Sequence, residues 1–325
     1  MNRKQALRSL TAAVLLAAGA PIVWSQSADT YPSKPIKLIV GYGPGGGNDI
    51  LARIIGQKMQ ESLGQPVVVE NRPSNAAIVG TLAVAKAAPD GYTLAVGASG
   101  PFVFNAALYS KLPYDPRKEF APISLIGTFP LILAVQGTSP HKSVADLVAY
   151  TKANPAQSNY GASAASFRLA TELLKSKTGI RADHIPYKGS AESIQAVAAG
   201  QVTMTLVDTG PAAGALKGGL LRPLAVTSPK RLAAYPDVPT MSEQGIDLTI
   251  QLWTGLLAPA GTPDAIVRKL NAEVQRILKL PDVRERILAL NIEPQGTTPE
   301  QMSQLIAREI DLWSGVAQAN NIKAD

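Results

Sequence analysis

The stretch IVGYGPGGGNDILAR, residues 39–53, passes from apolar β-branched residues through a glycine-rich turn into a helical pattern. Residues 36–41 (IKLIVG) read as a short strand of the kind buried on both faces. Downstream, Ile50, Leu51, Ile54, Ile55, Met59 and Leu63 share one stripe of a helix predicted over 48–63, and Gly64 stands where a C-cap glycine belongs. Strand, glycine turn and helix together make an anion site. The first N–H groups of a helix lack partners, and the helix dipole favours negative charge beside them. Glycine lets a ligand approach the backbone closely. Gly45, Gly46, Gly47 and Asn48 are therefore candidate donors to an anion.

The same turn contains GYGPGG, residues 41–46, which fits the dinucleotide fingerprint G-x-G-x-x-G, and Glu70 ends the next strand near where a ribose-binding acid would lie. Three features oppose a dinucleotide. Asp49 falls in the first helical turn, where it would repel a pyrophosphate. Pro44 removes one N–H from the cradle. An exported chain would also meet little NAD. Asp49 reads instead as a brace for the loop and a helix-start charge worth about 0.3–1 kcal/mol.

Outward from this unit the pattern repeats. Strands are predicted at 66–70 and 92–96 with a helix over 78–88 between them, stopped by Pro89-Asp90-Gly91. After Pro130 come strands at 131–136, ending at 159–160, and at 182–185, 202–207 and 222–226, separated by helices over 143–153, 166–178, 191–199 and 212–217. Residues 248–258 look extended. Three helices close the chain, from Pro263 with Thr262 as N-cap, over 281–290, and over 299–316 behind Thr298. Strands alternating with helices imply parallel sheets. The C-terminal helices need a sheet to cover, and the first is the natural one. The expected fold class is therefore α/β: two lobes, each a mostly parallel sheet flanked by helices, joined by two hinge strands and enclosing a cleft. The expected division is 1–25 as a signal peptide, 32–130 with 255–325 as a discontinuous first lobe, and 131–254 as the second.

The leader follows from a basic start (Arg3, Lys4, Arg8), a short apolar run at 10–20 and small residues after it. That run falls well short of the ~20 apolar residues a membrane span needs, and nothing later is long enough. With no cysteine, disulfides, thiol chemistry and a lipobox anchor are excluded. The periplasm is the expected location, with no stable membrane insertion. Three of the +7 net charges sit in the leader, leaving +4, a mild excess without the basic stripe of a nucleic-acid binder. A hydrophobic content of 46% against 17% charged residues rules out disorder over a chain of 325 residues.

No catalytic set is visible. His141 and His184 are the only histidines, and neither GxSxG nor HExxH occurs. An exported enzyme working through Asp49 or Asp208 would lack a nucleophile–base pair. No metal and no cofactor is expected. Further ligand candidates end other strands. Ser163 and Ser166 offer hydroxyl donors in a second small-residue loop, with serine as an N-cap the competing role. Arg168 could clamp a carboxylate through its guanidinium, or form a surface ion pair. Asp208 and Thr209 close one strand, and Ser99 and Gly100 another, on the side expected to face the cleft. Trp253 lies on the proposed return crossing, where it would flank a ligand or pack in the core.

At this point the sequence resembles the periplasmic solute receptors of tripartite tricarboxylate transporters, the Bug family. The resemblance covers nearly all of the chain after the leader. It runs through YPSKPIKLIVGYGPGGGNDILAR (31–53), VVVENRP (67–73), APDGYTL (88–94), LYSKLPYDPRKEFAPIS (108–124), HIPYKGS (184–190), LRPLAVTSPKR (221–231), YPDVPTMSEQG (235–245) and LLAPAGTP (256–263). It implies a hinge-closing binding protein without enzyme activity, holding a solute carboxylate through backbone amides of two opposed loops. These match Tyr42 to Asp49 and Ser163, Ala165, Ser166 and Arg168. It also implies delivery of a small organic carboxylate to membrane permease subunits. A monomer is expected, with a membrane signalling sensor as the alternative recipient. Two departures stand out: NRPSNAA at 71–77 where the family commonly reads NRPGAGG, and SAASFR at 163–168 in place of a longer GSGS-like loop. Phe167 would face an aromatic solute or be buried on its helix.

Overall fold

The architecture follows from how the apolar strands find partners. In the computed structural model, which describes residues 31–324 apart from residue 188, the elements run β1 (Ile36–Val40), α1 (Gly47–Leu63), β2 (Val67–Asn71), α2 (Ile78–Ala85), β3 (Thr93–Ala98), α3 (Asn105–Leu108) and β4 (Phe120–Gln136). They continue with α4 (Val144–Ala153), β5 (Asn159–Ala162), α5 (Ala165–Thr178), β6 (Asp183–Pro186), α6 (Ser190–Ala198), β7 (Met204–Asp208), α7 (Thr209–Lys217) and β8 (Leu221–Val226). The chain closes with β9 (Gln251–Pro259), α8 (Asp264–Ile277), α9 (Pro281–Leu288), β10 (Glu293–Pro294) and α10 (Pro299–Ala319). The predicted leader lies outside the described residues. Among those described, no helix is long and apolar enough to cross a membrane.

The fold has two sheets that share β4. In the first, β1 pairs parallel with β2 and β3, and β3 and the N-terminal half of β4 flank β9 antiparallel. In the second, the C-terminal half of β4 pairs antiparallel with β7 and β8, and β5 pairs parallel with β6 and β7. Each sheet is thus mixed rather than mostly parallel: the pairings among β1, β2 and β3 and among β5, β6 and β7 are parallel, while those of β4 and β9, including the edge strands β8 and β10 on β4, are antiparallel. The partner of β4 changes between Pro130, opposite Gln251, and Leu131, opposite Asp208. Thr227 ties this junction: its N–H and hydroxyl bond the Leu131 carbonyl and the Ile250 carbonyl, and its Oγ1 accepts from Leu131 N. Helices α8 and α10 pack on β4, and α8 on α1, so the C-terminal helices do cover the first sheet.

Several expectations need correction. The strand predicted from residue 131 begins at Phe120, because Pro122 and Gly127 sit at irregularities in the β4–β9 pairing that let the strand continue past them. The strand expected to end at 159–160 starts there. Thr262 is not the N-cap of α8. Its Oγ1 donates to the Pro259 carbonyl, and Pro263 occupies the cap position. Neither serine caps α5, whose N-cap is Ala164. Gly64 does end α1 in the left-handed region, φ 69°, its N–H on the Gln60 carbonyl. Thr298 caps α10 in a reciprocal pair with Gln301.

Candidate functional site: a cavity at three helix N-termini

One cavity of about 420 Å³ lies where the two sheets meet. The glycine turn reaches it through Tyr42, Gly47 and Asn48, the end of β3 through Ala98, Ser99 and Gly100, and the second sheet through Ser166, Asp208, Thr209, Gly210 and Pro211. Ile50, Phe129, Leu252, Trp253, Leu290, Asn291 and Ile292 complete the wall. Of the expected ligand residues, the structure brings together Tyr42, Gly47, Asn48, Ser99, Gly100, Ser166, Asp208 and Thr209. It leaves Gly45, Gly46, Asp49, Ser163, Ala165 and Arg168 off the wall.

The reasons are local. Asp49 is buried at 2% exposure and turns back on its own loop. Its Oδ2 accepts from Gly45 N at 2.9 Å and Arg53 Nε at 3.0 Å, and its Oδ1 from Asn71 Nδ2 at 2.9 Å. Burial pushes its carboxyl up, but the Arg53, Gly45 and Asn71 hydrogen bonds outweigh this and hold it below the usual carboxylate range. The Gly45 amide is therefore committed to Asp49. Asn71 also donates to the Tyr42 carbonyl, so one carboxylate and one amide set the turn. Gly45 itself sits at φ +83°, which glycine adopts without strain. Asp49→Ala is expected to lower stability by about 1–3 kcal/mol by orphaning these donors. It should also weaken solute binding by about tenfold, although the residue lies off the wall. Unchanged urea unfolding and unchanged affinity would show that the turn holds its shape without it.

The Arg168 expectation meets helix geometry. Residues i and i+2 do not share a face, so a Ser166 on the cavity wall sends Arg168 elsewhere. The Arg168 guanidinium acts on Tyr160 and His184 instead, and its Nε is buried without a partner. Phe167 is buried in the core. Ser163 Oγ lies 3.3 Å from Ser190 Oγ, which donates to Asp208 Oδ1 at 3.2 Å, so Ser163 stands behind the wall in a short hydroxyl relay. The two histidines are apart, His141 beside Tyr150 and His184 beside Tyr160, and neither lines this cavity. Glu70 pairs with Arg72 at 2.6 Å.

Electrostatically the cavity is shaped by backbone. Helices α1, α5 and α7 all begin at its wall, and none of the three N-caps, Gly46, Ala164 and Asp208, makes a side-chain capping bond. Their first amides are left for water or a ligand. The side-chain cap pairs of α4 and α10 lie elsewhere. Thr254 Oγ1 donates to Asn48 Oδ1, which leaves the Asn48 NH2 as a donor. Burial pushes the Tyr42 phenol up to about 12, so it stays neutral. A Cβ on Gly47 would stand 3.7 Å from Phe129 Cε1, so the bare backbone keeps this part of the wall open. Among the described residues no arginine or lysine lines the cavity.

Sequence reasoning missed Ile50, Ala98, Phe129, Pro211, Leu252, Leu290, Asn291 and Ile292. Most look like ordinary core residues. Asn291, at φ 57°, carries the one legible signal, a left-handed asparagine after a helix.

Comparison with known proteins places the chain. The family model for the Tripartite tricarboxylate transporter family receptor matches residues 51–322. BugT of Bordetella pertussis is 35% identical over 320 residues, covering 97% of this chain and 98% of that protein. Among solved structures, a protein of R. palustris determined with adipate is 34% identical with a TM-score of 0.76, covering 90% of this chain and 99% of that one. MatC from Rhodopseudomonas palustris, with bound malate, is 32% identical with a TM-score of 0.72, covering 88% and 99%. The two-lobed binding-protein fold is shared across this group, and the chain belongs to the tripartite tricarboxylate transporter receptor family of periplasmic solute-binding proteins.

Proposed function

We propose that this protein is exported by a cleaved leader and, as a monomer, captures a small organic carboxylate in the cavity and delivers it to the permease subunits of a tripartite transporter. In this reading residues 32–130 with 255–325 form one lobe and 131–254 the other, and they close about the β4 and β9 crossings tied by Thr227. Gly47 and Asn48 donate to the carboxylate from the first lobe, with Tyr42, Ser99 and Gly100 beside them. Ser166 and Thr209 meet it from the second. A solute touching both lobes favours the closed state by its differential contacts.

One observation carries this reading: three helices present uncapped N-termini to one cavity. Each such end favours a nearby anion by about 0.3–1 kcal/mol when exposed and up to ~2 kcal/mol when partly buried. The relatives solved with adipate and malate support the same solute class. A thermal-shift screen of small carboxylates, sugars and amines tests it. A carboxylate at about 100 times its Kd should stabilise the fold by ~2.7 kcal/mol, seen as a rise of several degrees. Stabilisation by sugars or amines, with none from any carboxylate, would reject the solute class.

A further inference from the structure

The cavity holds a carboxyl that nothing around it neutralises. Asp208 is the N-cap of α7, a position where aspartate ordinarily accepts from the backbone one turn ahead, yet it makes no such bond. Its Oδ1 accepts from Ser190 Oγ, which lies within reach of Ser163, and the residue lines the cavity. The elements packed against it supply no counter-charge. β4 sets Leu131 opposite it, and Tyr42, the other titratable group on the wall, stays neutral. The Arg168 guanidinium of α5 acts on Tyr160 and His184, Glu192 of α6 is exposed, and Arg222 of β8 donates to the Gly137 carbonyl. Lys217 sits at the far end of α7. Burial pushes the Asp208 carboxyl up, and only its own amide and Ser190 pull against this. Asp49, by contrast, has its counter-charge in Arg53.

We infer that capture of the solute is coupled to a proton: Asp208 takes one from solvent as the solute carboxylate enters, and its Oδ2–H then donates to that carboxylate. The inference rests on the carboxylate reading above and holds for any acid which that reading admits. Chain order brings the two groups together. Pro211 has no N–H, so the first-turn amides that α7 can offer an anion are those of Thr209 and Gly210, next in the chain to Asp208. A solute carboxylate seated on them shares the cavity with the Asp208 carboxylate, and two like charges sharing one site do not both stay ionised. The proton goes to Asp208 because the solute has three helix ends to hold its charge, whereas Asp208 has one serine hydroxyl. Protonated, Asp208 keeps Oδ1 as the acceptor for Ser190 and gains a donor on Oδ2. The sign follows by linkage. Binding takes up a proton, so affinity falls as the pH rises past the point where Asp208 ionises in the free protein. The fall is at most about tenfold per pH unit and ends once the carboxyl is ionised in the complex as well.

The test is calorimetric titration of the protein lacking residues 1–25 with adipate, L-malate and 3-phenylpropanoate. The tightest binder of the three is titrated at several values between about pH 6 and 9, each in two buffers of different ionisation enthalpy, so that the difference in heat counts protons. About half to one proton should be taken up per solute at the maximum, with affinity falling toward high pH over the same range. Asp208→Asn carries a permanent neutral donor in its amide, and thermal unfolding checks that its fold survives. In this variant uptake should vanish, affinity should lose its pH dependence, and binding at about pH 9 should be roughly threefold to tenfold tighter than in the wild type. Three results overturn the coupling and leave the carboxylate reading standing: binding without proton uptake at any pH, wild-type uptake retained in Asp208→Asn, or weaker binding by Asp208→Asn at high pH. No binding by any of the three probes counts against the carboxylate reading and takes the coupling with it. The wild-type proton count decides the matter even if Asp208→Asn fails to fold.

Discussion

Trp253→Ala should cost about 3–5 kcal/mol of folding stability, the range for removing a fully buried large aromatic. Trp253 is 1% exposed and stacks on Phe102 at 6.5 Å between centroids, and Phe102 meets Phe120 edge-on at 4.9 Å. These rings join β9, the helical turn Gly100–Phe104 that follows β3, and the start of β4. The indole N–H also donates to Glu309 Oε2 at 2.9 Å, and the Trp253 amide to Ser99 Oγ at 3.4 Å. The substitution therefore opens a void and strands a buried carboxyl together. Trp253→Phe separates the two effects: it keeps most of the apolar volume and loses only the N–H, for about 1–3 kcal/mol. Urea unfolding with midpoint and slope measured for each variant checks the ordering. If alanine costs no more than phenylalanine, the packing account of this residue is wrong.

The parts of the fold that were legible in the sequence are those decided by local physics. The apolar run of β1, the helical stripe from Ile50 to Leu63 and the left-handed Gly64 all act within a few residues of themselves, and they appear where expected. The first half of β4 was not legible, because Pro122, Gly127 and Pro130 argue against a strand unless irregular pairing with β9 absorbs them. Thr262 has the right residue type for a cap, but its hydroxyl bonds the Pro259 carbonyl instead. The site divides in the same way. Helix-end donors such as Gly47, Asn48 and Thr209 follow from strand–turn–helix order, so they could be named. Leu290, Asn291 and Ile292 come from the far end of the chain, held by the pairing of Glu293 and Pro294 with β4, and no local pattern announces that. Arg168 differs from both. Its chemistry suits an anion, but its helical phase relative to Ser166 keeps the two side chains from facing one cavity.

Glu309 supplies a pH dependence with a definite sign. It sits within α10 beneath Trp253, and burial pushes its carboxyl from an ordinary 4.5 up to about 7, against the opposing pull of the indole N–H and Arg308. The folded state therefore holds this proton more tightly than the unfolded chain. Its contribution to stability is complete below pH 4.5, falls as the unfolded carboxyl ionises first, and is gone once the pH passes about 7. A tenfold difference in proton affinity is worth about 1.4 kcal/mol, so the loss across that window is on the order of 3 kcal/mol. Glu309→Gln keeps the shape and cannot ionise, so the difference between wild type and variant, measured by urea unfolding at several pH values, should slope through this window and level off above it. Indole emission should change with the same midpoint, since the acceptor of the Trp253 N–H gains a charge there. A difference curve that is flat between pH 4.5 and 7 would mean that water reaches this carboxyl in solution and that its protonation contributes nothing to folding.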